Sequence, residues 1–300
     1  MFNELPLQFS CQDELLQGIY SPGQSDVAVL IMVGGPQYRV GSHRQFVKLS
    51  RALARDGFSS LRFDFAGMGD SKGQLQPFYA NSQAIKLAID ALFNLNSNLR
   101  QVVLWGLCDA ASAALIYCYQ QSDSRVAGLV LVNPWVRQQQ SHARVMLKHY
   151  YWQRLSSKAF WQKLLGGGLN PLQSLRELMA TWQQSKNNRQ PAAPANTDKA
   201  APKINKPATT ADNYVQHMLA GWQNFSGKSL LVTSGNDLTA QEFLTLCQND
   251  KAWAACLRNA THQHIKDANH TFSTADWRTR VEQTTCDFAS QLTAPCDNRR

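Results

Sequence analysis

Val27–Val33 (VAVLIMV) is an unbroken apolar run, the pattern of a strand covered on both faces. Before it, Leu7–Cys11 and Leu15–Tyr20 read as the two arms of a short hairpin. After it, Ser42–Asp56 spaces Phe46, Leu49, Leu53 and Ala54 at helical intervals. The pattern then alternates through a strand at Ser59–Phe65, a helix at Tyr79–Leu95, a strand at Gln101–Trp105, a helix at Asp109–Gln120 and a strand at Arg125–Val132. Such alternation predicts an α/β fold with a mostly parallel central sheet, right-handed crossovers and helices on both faces.

The alternation stops at Trp135 and resumes with a strand at Lys228–Ser234, a helix at Ala240–Leu257, a strand at Thr261–Lys266 and a helix at Thr274–Leu292. Within the gap, Gln184–Thr210 holds Pro, Ala, Asn and Lys but almost no large apolar residue. It cannot bury enough surface to order itself, which predicts a disordered loop over 184–210. The expected plan is therefore a sheet domain in two parts, 1–134 and 226–300, interrupted by a helical cap insertion at 135–225.

Charge sharpens that division. The chain of 300 residues carries a net charge of +9. Between Trp135 and Phe225 stand twelve basic residues against three acidic ones, an excess equal to the charge of the whole chain. Aromatic residues Tyr150, Tyr151, Trp152, Phe160 and Trp161 lie among them, but at helical spacing, which reads as the inner face of a cap and not as a nucleic-acid stacking platform. The charges then face solvent, an anionic carrier or substrate, or a membrane surface. No apolar run approaches the roughly 20 residues of a membrane helix. Met1–Leu7 lacks a signal-peptide pattern, so a cytoplasmic location is expected. Seven cysteines, with no C-x-x-C pair, favour neither a disulfide framework nor a zinc site, and no metal or organic cofactor is implied.

The chemistry centres on Gly106-Leu107-Cys108-Asp109-Ala110, a glycine–x–nucleophile–x–small sequence between a strand and a helix. Such a turn is sharp and strained, and it projects the central side chain above the sheet. The helix dipole favours a Cys108 thiolate, while the neighbouring Asp109 carboxylate opposes it. By itself the match weighs evenly against a buried structural cysteine. Two later loops change the balance. Asp237 follows the strand ending at Ser234, and His270 sits in the loop after the next strand. The chain order nucleophile, acid, histidine is that of the α/β-hydrolase fold, in which His270 takes the thiol proton and Asp237 orients the imidazole. The oxyanion hole needs two N–H donors. Asp109 supplies one; because Pro36 has none, Gln37 is expected to supply the other. The polar loop over the site makes Gly34, Gly35, Tyr38, Arg39 and His43 candidates for substrate contact, and His43, Asp64 and Asp70 read as structural before catalytic.

The segments GGPQYRVGSHRQF, DFAGMGDSKG, WGLCDAASAAL, LVNPWVR and SGNDLTAQEF together resemble the exosortase A system-associated hydrolase type 1 family of the α/β-hydrolase superfamily. The resemblance implies the triad Cys108, Asp237 and His270. It also implies a place beside a bacterial protein-sorting and exopolysaccharide system, but no firm substrate. Related cysteine elbows occur in dienelactone hydrolases and polyhydroxyalkanoate synthases, so hydrolysis of an ester or thioester and acyl transfer to a sugar or amine are both implied. A non-catalytic binding module on the same fold is the third reading. The expected partner is a small-molecule acyl substrate, free, carrier-bound or anionic. No oligomeric state is read from the sequence.

Overall fold

In the computed structural model, residues 3–11, 13–35, 37–137 and 206–293 are described. The chain divides into two compact units, one formed by 1–136 with 208–300 and the other by 137–207. The second falls almost wholly outside the described residues. So do the aromatic cluster at Tyr150–Trp161 and most of the low-complexity stretch.

The first unit is built on an eight-stranded sheet: β1 (Leu5–Cys11), β2 (Glu14–Ser21), β3 (Val27–Met32), β4 (Ser59–Phe63), β5 (Gln101–Leu107), β6 (Val126–Val132), β7 (Lys228–Asn236) and β8 (Thr261–Asn269). Their spatial order is β1-β2-β4-β3-β5-β6-β7-β8. β1 pairs antiparallel with β2 and β2 with β4; every other pair is parallel. The apolar run at β3 is the middle of this sheet, and all six of its residues are buried. The expected hairpin, the parallel sheet and the order of elements are all present.

Helices α1 (Gln45–Arg55), α2 (Ser82–Leu95), α3 (Asp109–Gln120), α4 (Tyr214–Asn224), α5 (Leu238–Asn249), α6 (Lys251–Arg258) and α7 (Ala275–Ser290) flank the sheet. Two expectations change. The single helix foreseen over Ala240–Leu257 is two helices, because Asp250 leaves helical geometry and its carboxylate accepts the N–H of Ala252 at 2.8 Å and of Trp253 at 3.1 Å. That is an N-cap, which starts a new helix where periodicity alone sees continuity. The foreseen insertion to 225 also ends earlier. α4 belongs to the sheet unit, packed on α3 with Met218 and Trp222 buried.

The chain leaves β3 for β4 on one side and returns to β5 on the other. The carboxyl ends of β3 and β5 thus flank a topological switch point, where open α/β sheets form their crevice. The loops after β3, β5, β6, β7 and β8 all open on this edge.

Candidate active site

Cys108 stands between β5 and α3 with φ 63 and ψ −124, a conformation that costs a residue with a side chain about 1–3 kcal/mol. The turn survives because its neighbours are small. A Cβ on Gly106 would lie 2.5 Å from the Ala110 carbonyl carbon and the Ala111 nitrogen, so any side chain there would push the helix off the strand. Backbone bonds fix the turn from both sides: the Cys108 N–H donates to the Val132 carbonyl at 2.9 Å, and the Cys108 carbonyl accepts the Trp135 N–H at 3.2 Å.

Three elements bring His270 and Asp237 to this turn. His270 follows β8, and its Nδ1 lies 2.8 Å from Asp237 Oδ2. A carboxylate only accepts, so Nδ1 donates to it, and Nε2 is the nitrogen left for Cys108, whose side chain interacts with the ring. Asp237 has a second duty as the N-cap of α5, its Oδ1 accepting from the Thr239 N–H and its Oδ2 from the Ala240 N–H, each at 3.2 Å. The isolated-aspartate reading as a cap and the orienting-acid reading are therefore both realised by one side chain. Burial lowers the affinity of His270 for a proton, but the hydrogen bonds to Asp237 and Cys108 outweigh it and push its pKa up to about 10.

This shift has a signed consequence for stability. The imidazolium is favoured in the folded chain, so its contribution is fully present below the ordinary value of 6.5 and is lost as pH rises through about 10. Urea unfolding across that window should show wild-type stability declining, and His270→Gln should lack this part of the slope. Equal slopes in the two proteins would mean that the pair does not hold the charge.

The loop after β3 meets the elbow through glycine. The Gly35 N–H donates to Asp109 Oδ1 at 2.6 Å. A Cβ on Gly34 would sit 2.3 Å from that same oxygen and from the Leu107 carbonyl, so the first glycine is required by the close approach of loop to turn. Burial raises the Asp109 pKa, while neighbouring backbone N–H groups, Gly35 first, and the charge of His270 oppose the rise. The Gly35 N–H thus ties the loop after β3 to the residue that follows Cys108.

Gly35 brings an N–H to the elbow, and Gln37 turns its side-chain oxygen to the N–H and hydroxyl of Ser42 at 3.1 and 3.3 Å. Arg39 is committed elsewhere. Its guanidinium pairs with Asp64 and Asp70, and its N–H donates to Asp64. A buried Asp64 therefore holds this arginine as a tether for the loop. Tyr38 and His43 are exposed on the same loop.

One residue was missed by sequence reasoning. Asn133, fully buried just after β6 with φ 44, donates from Nδ2 to Ser234 Oγ at 2.8 Å and to the His270 carbonyl at 3.1 Å, and accepts the Ser234 N–H at 2.9 Å. It ties β6 to β7 and to the histidine loop. A polar residue at the carboxyl end of a wholly apolar strand was the available signal.

Residues 27–273 match the family model described as alpha/beta hydrolase fold. No curated protein sequence is detectably similar to the chain. Among solved structures, an esterase of Pyrococcus furiosus superposes with a TM-score of 0.63 at 13% identity, covering 98% of this chain and 92% of that one. An α/β hydrolase from a Penicillium species gives 0.57 at 17% identity, covering 96% and 98%. A thioesterase domain from the curacin biosynthetic pathway gives 0.53 at 11%, covering 96% and 99%. At these identities the likeness extends to the fold.

Proposed function

The chain belongs to the alpha/beta hydrolase fold family, and on that footing we propose that it cleaves an ester or thioester through an acyl-cysteine intermediate. The observation that carries this reading is the hydrogen bond from His270 to Asp237 on a ring that interacts with Cys108, a residue held in a strained turn beside the Gly35 N–H. The Cys108 thiolate attacks the acyl carbon, forming a C–S bond as the bond to the leaving alcohol or thiol breaks. The His270 imidazolium gives its proton to that leaving group. A water then passes a proton to His270 and attacks the acyl carbon; the C–S bond breaks and the thiolate–imidazolium pair returns. The N–H groups of Gly35 and Asp109 hold the tetrahedral oxyanion, the Gly35 N–H turning to it from the Asp109 carboxylate.

The sequence motifs support a setting beside a bacterial exosortase and exopolysaccharide system, and the basic character of 135–225 supports an anionic or carrier-bound acyl donor at a cytoplasmic membrane surface.

The test is a panel of activated esters and acyl thioesters, followed by intact mass and peptide mapping. The expected adduct is one acyl group on Cys108. The comparison is internal, because burial pushes the thiol of Cys118 up to about 12 and also raises those of Cys11, Cys247, Cys256 and Cys286. An adduct shed in water supports hydrolysis, and one shed only to an added alcohol or amine makes the enzyme an acyltransferase. Acylation of Cys118 as fast as Cys108 would sink the reading.

A further inference from the structure

Beside the elbow, within the sheet unit, lies a cavity of about 320 Å³. Val33, Phe65, Met68 and Phe78 form its apolar walls, and Ala110 and Ala113 form its floor on one face of α3. The two alanines are buried, and it is their size that leaves the space open. Gly35 and Asp109, the two residues joined beside Cys108, belong to its lining. So do Leu75 and Pro77 on the loop after β4; Leu75 is 67% exposed. The cavity therefore adjoins both the elbow and a partly exposed loop that the proposed chemistry leaves without a role.

We propose that this cavity is the acyl-chain subsite and that it selects a neutral, unbranched aliphatic chain of medium length. The inference rests on the acyl-cysteine reading for its place in catalysis, but not for the binding itself. The volume is that of about ten waters, and a methylene takes a similar space, so roughly eight to ten carbons fill it. Burying each methylene in apolar walls strengthens binding about fourfold. Charge sets the class. Among the described residues no basic side chain lines the cavity, while Asp109 stands at its elbow end. A free fatty carboxylate would bring a second negative charge to that end with no cation to offset it, whereas an ester or thioester brings none. The same repulsion expels the acid product once the C–S bond is hydrolysed.

The experiment measures kcat/KM for p-nitrophenyl acetate, butyrate, octanoate and dodecanoate, with wild type, Ala113→Phe and Leu75→Asp. Wild type should gain about fourfold per methylene up to the octanoate and then level off. Ala113→Phe should lower the ratio of octanoate to acetate by more than tenfold, and Leu75→Asp, at an exposed position that folding does not need, should lower it in the same direction. A flat wild-type series, or a variant that lowers every ester by one factor, would overturn the subsite. If no ester is turned over, the acyl-cysteine reading fails, and the cavity is judged by calorimetry on Cys108→Ala. Saturable binding of 1-octanol that Ala113→Phe removes and that octanoate does not share supports it. Absence of octanol binding, or octanoate binding as tightly as octanol, overturns it.

Discussion

Cys108→Ala should abolish turnover of every substrate the wild type accepts, with kcat falling by a factor on the order of 10⁴ to 10⁶, as when other triads lose their nucleophile. The change removes only a sulfur, so the oxyanion donors, the cavity and the Asp237–His270 pair remain. Substrate affinity should persist, and the defect should fall on kcat. Stability offers an independent reading of the same position. Alanine keeps a Cβ at φ 63, whereas glycine is at ease there. Cys108→Gly should therefore be more stable than Cys108→Ala by about 1 kcal/mol, the released strain exceeding the extra freedom of the unfolded chain. Equal unfolding midpoints would show that the turn holds no strain. Undiminished turnover in Cys108→Ala would remove the nucleophile itself.

The second large effect is at Asp237, where capping and catalysis share one carboxylate. Three donors meet its two oxygens: Thr239 N–H at Oδ1, and Ala240 N–H with His270 Nδ1 at Oδ2. Asp237→Asn can keep the two bonds at Oδ2 by placing its amide oxygen there, and asparagine remains a good N-cap. What it loses is the negative charge that helps hold His270 protonated. Turnover should fall by as much as about 10⁴, and the alkaline limb of the pH–rate profile should move down toward the ordinary histidine range. Asp237→Ala loses all three bonds, so it should add a stability loss of about 1 kcal/mol, measurable by urea unfolding. If the two variants are equally unstable and equally active, Asp237 is a cap and no more.

Both predictions depend on features that were unequally legible in the sequence. β3 and β6 are apolar throughout, and strands buried on both faces have no other pattern, so the sheet could be read directly. The spacing Gly106-x-Cys108-x-Ala110 was equally plain, since the clash of a Gly106 Cβ with Ala110 and Ala111 leaves that position to glycine alone. Asp250 was not legible, because a capping aspartate inside an apolar period looks like one more polar position until its backbone turns. The partners of Gln37 and Arg39 were illegible for a related reason. Position in a loop says that a group is near the site; where its N–H or guanidinium points depends on partners such as Ser42, Asp64 and Asp70.

The α/β alternation, the chain order of Cys108, Asp237 and His270, and the segregation of positive charge into 135–225 are written in the amino-acid sequence. These are local or ordinal properties, set by side-chain period, turn chemistry and composition. Three-dimensional contacts alone reveal that Asp237 caps α5 while bonding His270, that the Gly35 N–H reaches Asp109 beside the elbow, and that Asn133 ties two strands to the histidine loop. Each is a contact between segments far apart in the chain. Its geometry follows from how the carboxyl ends of parallel strands are brought side by side, which no local pattern records.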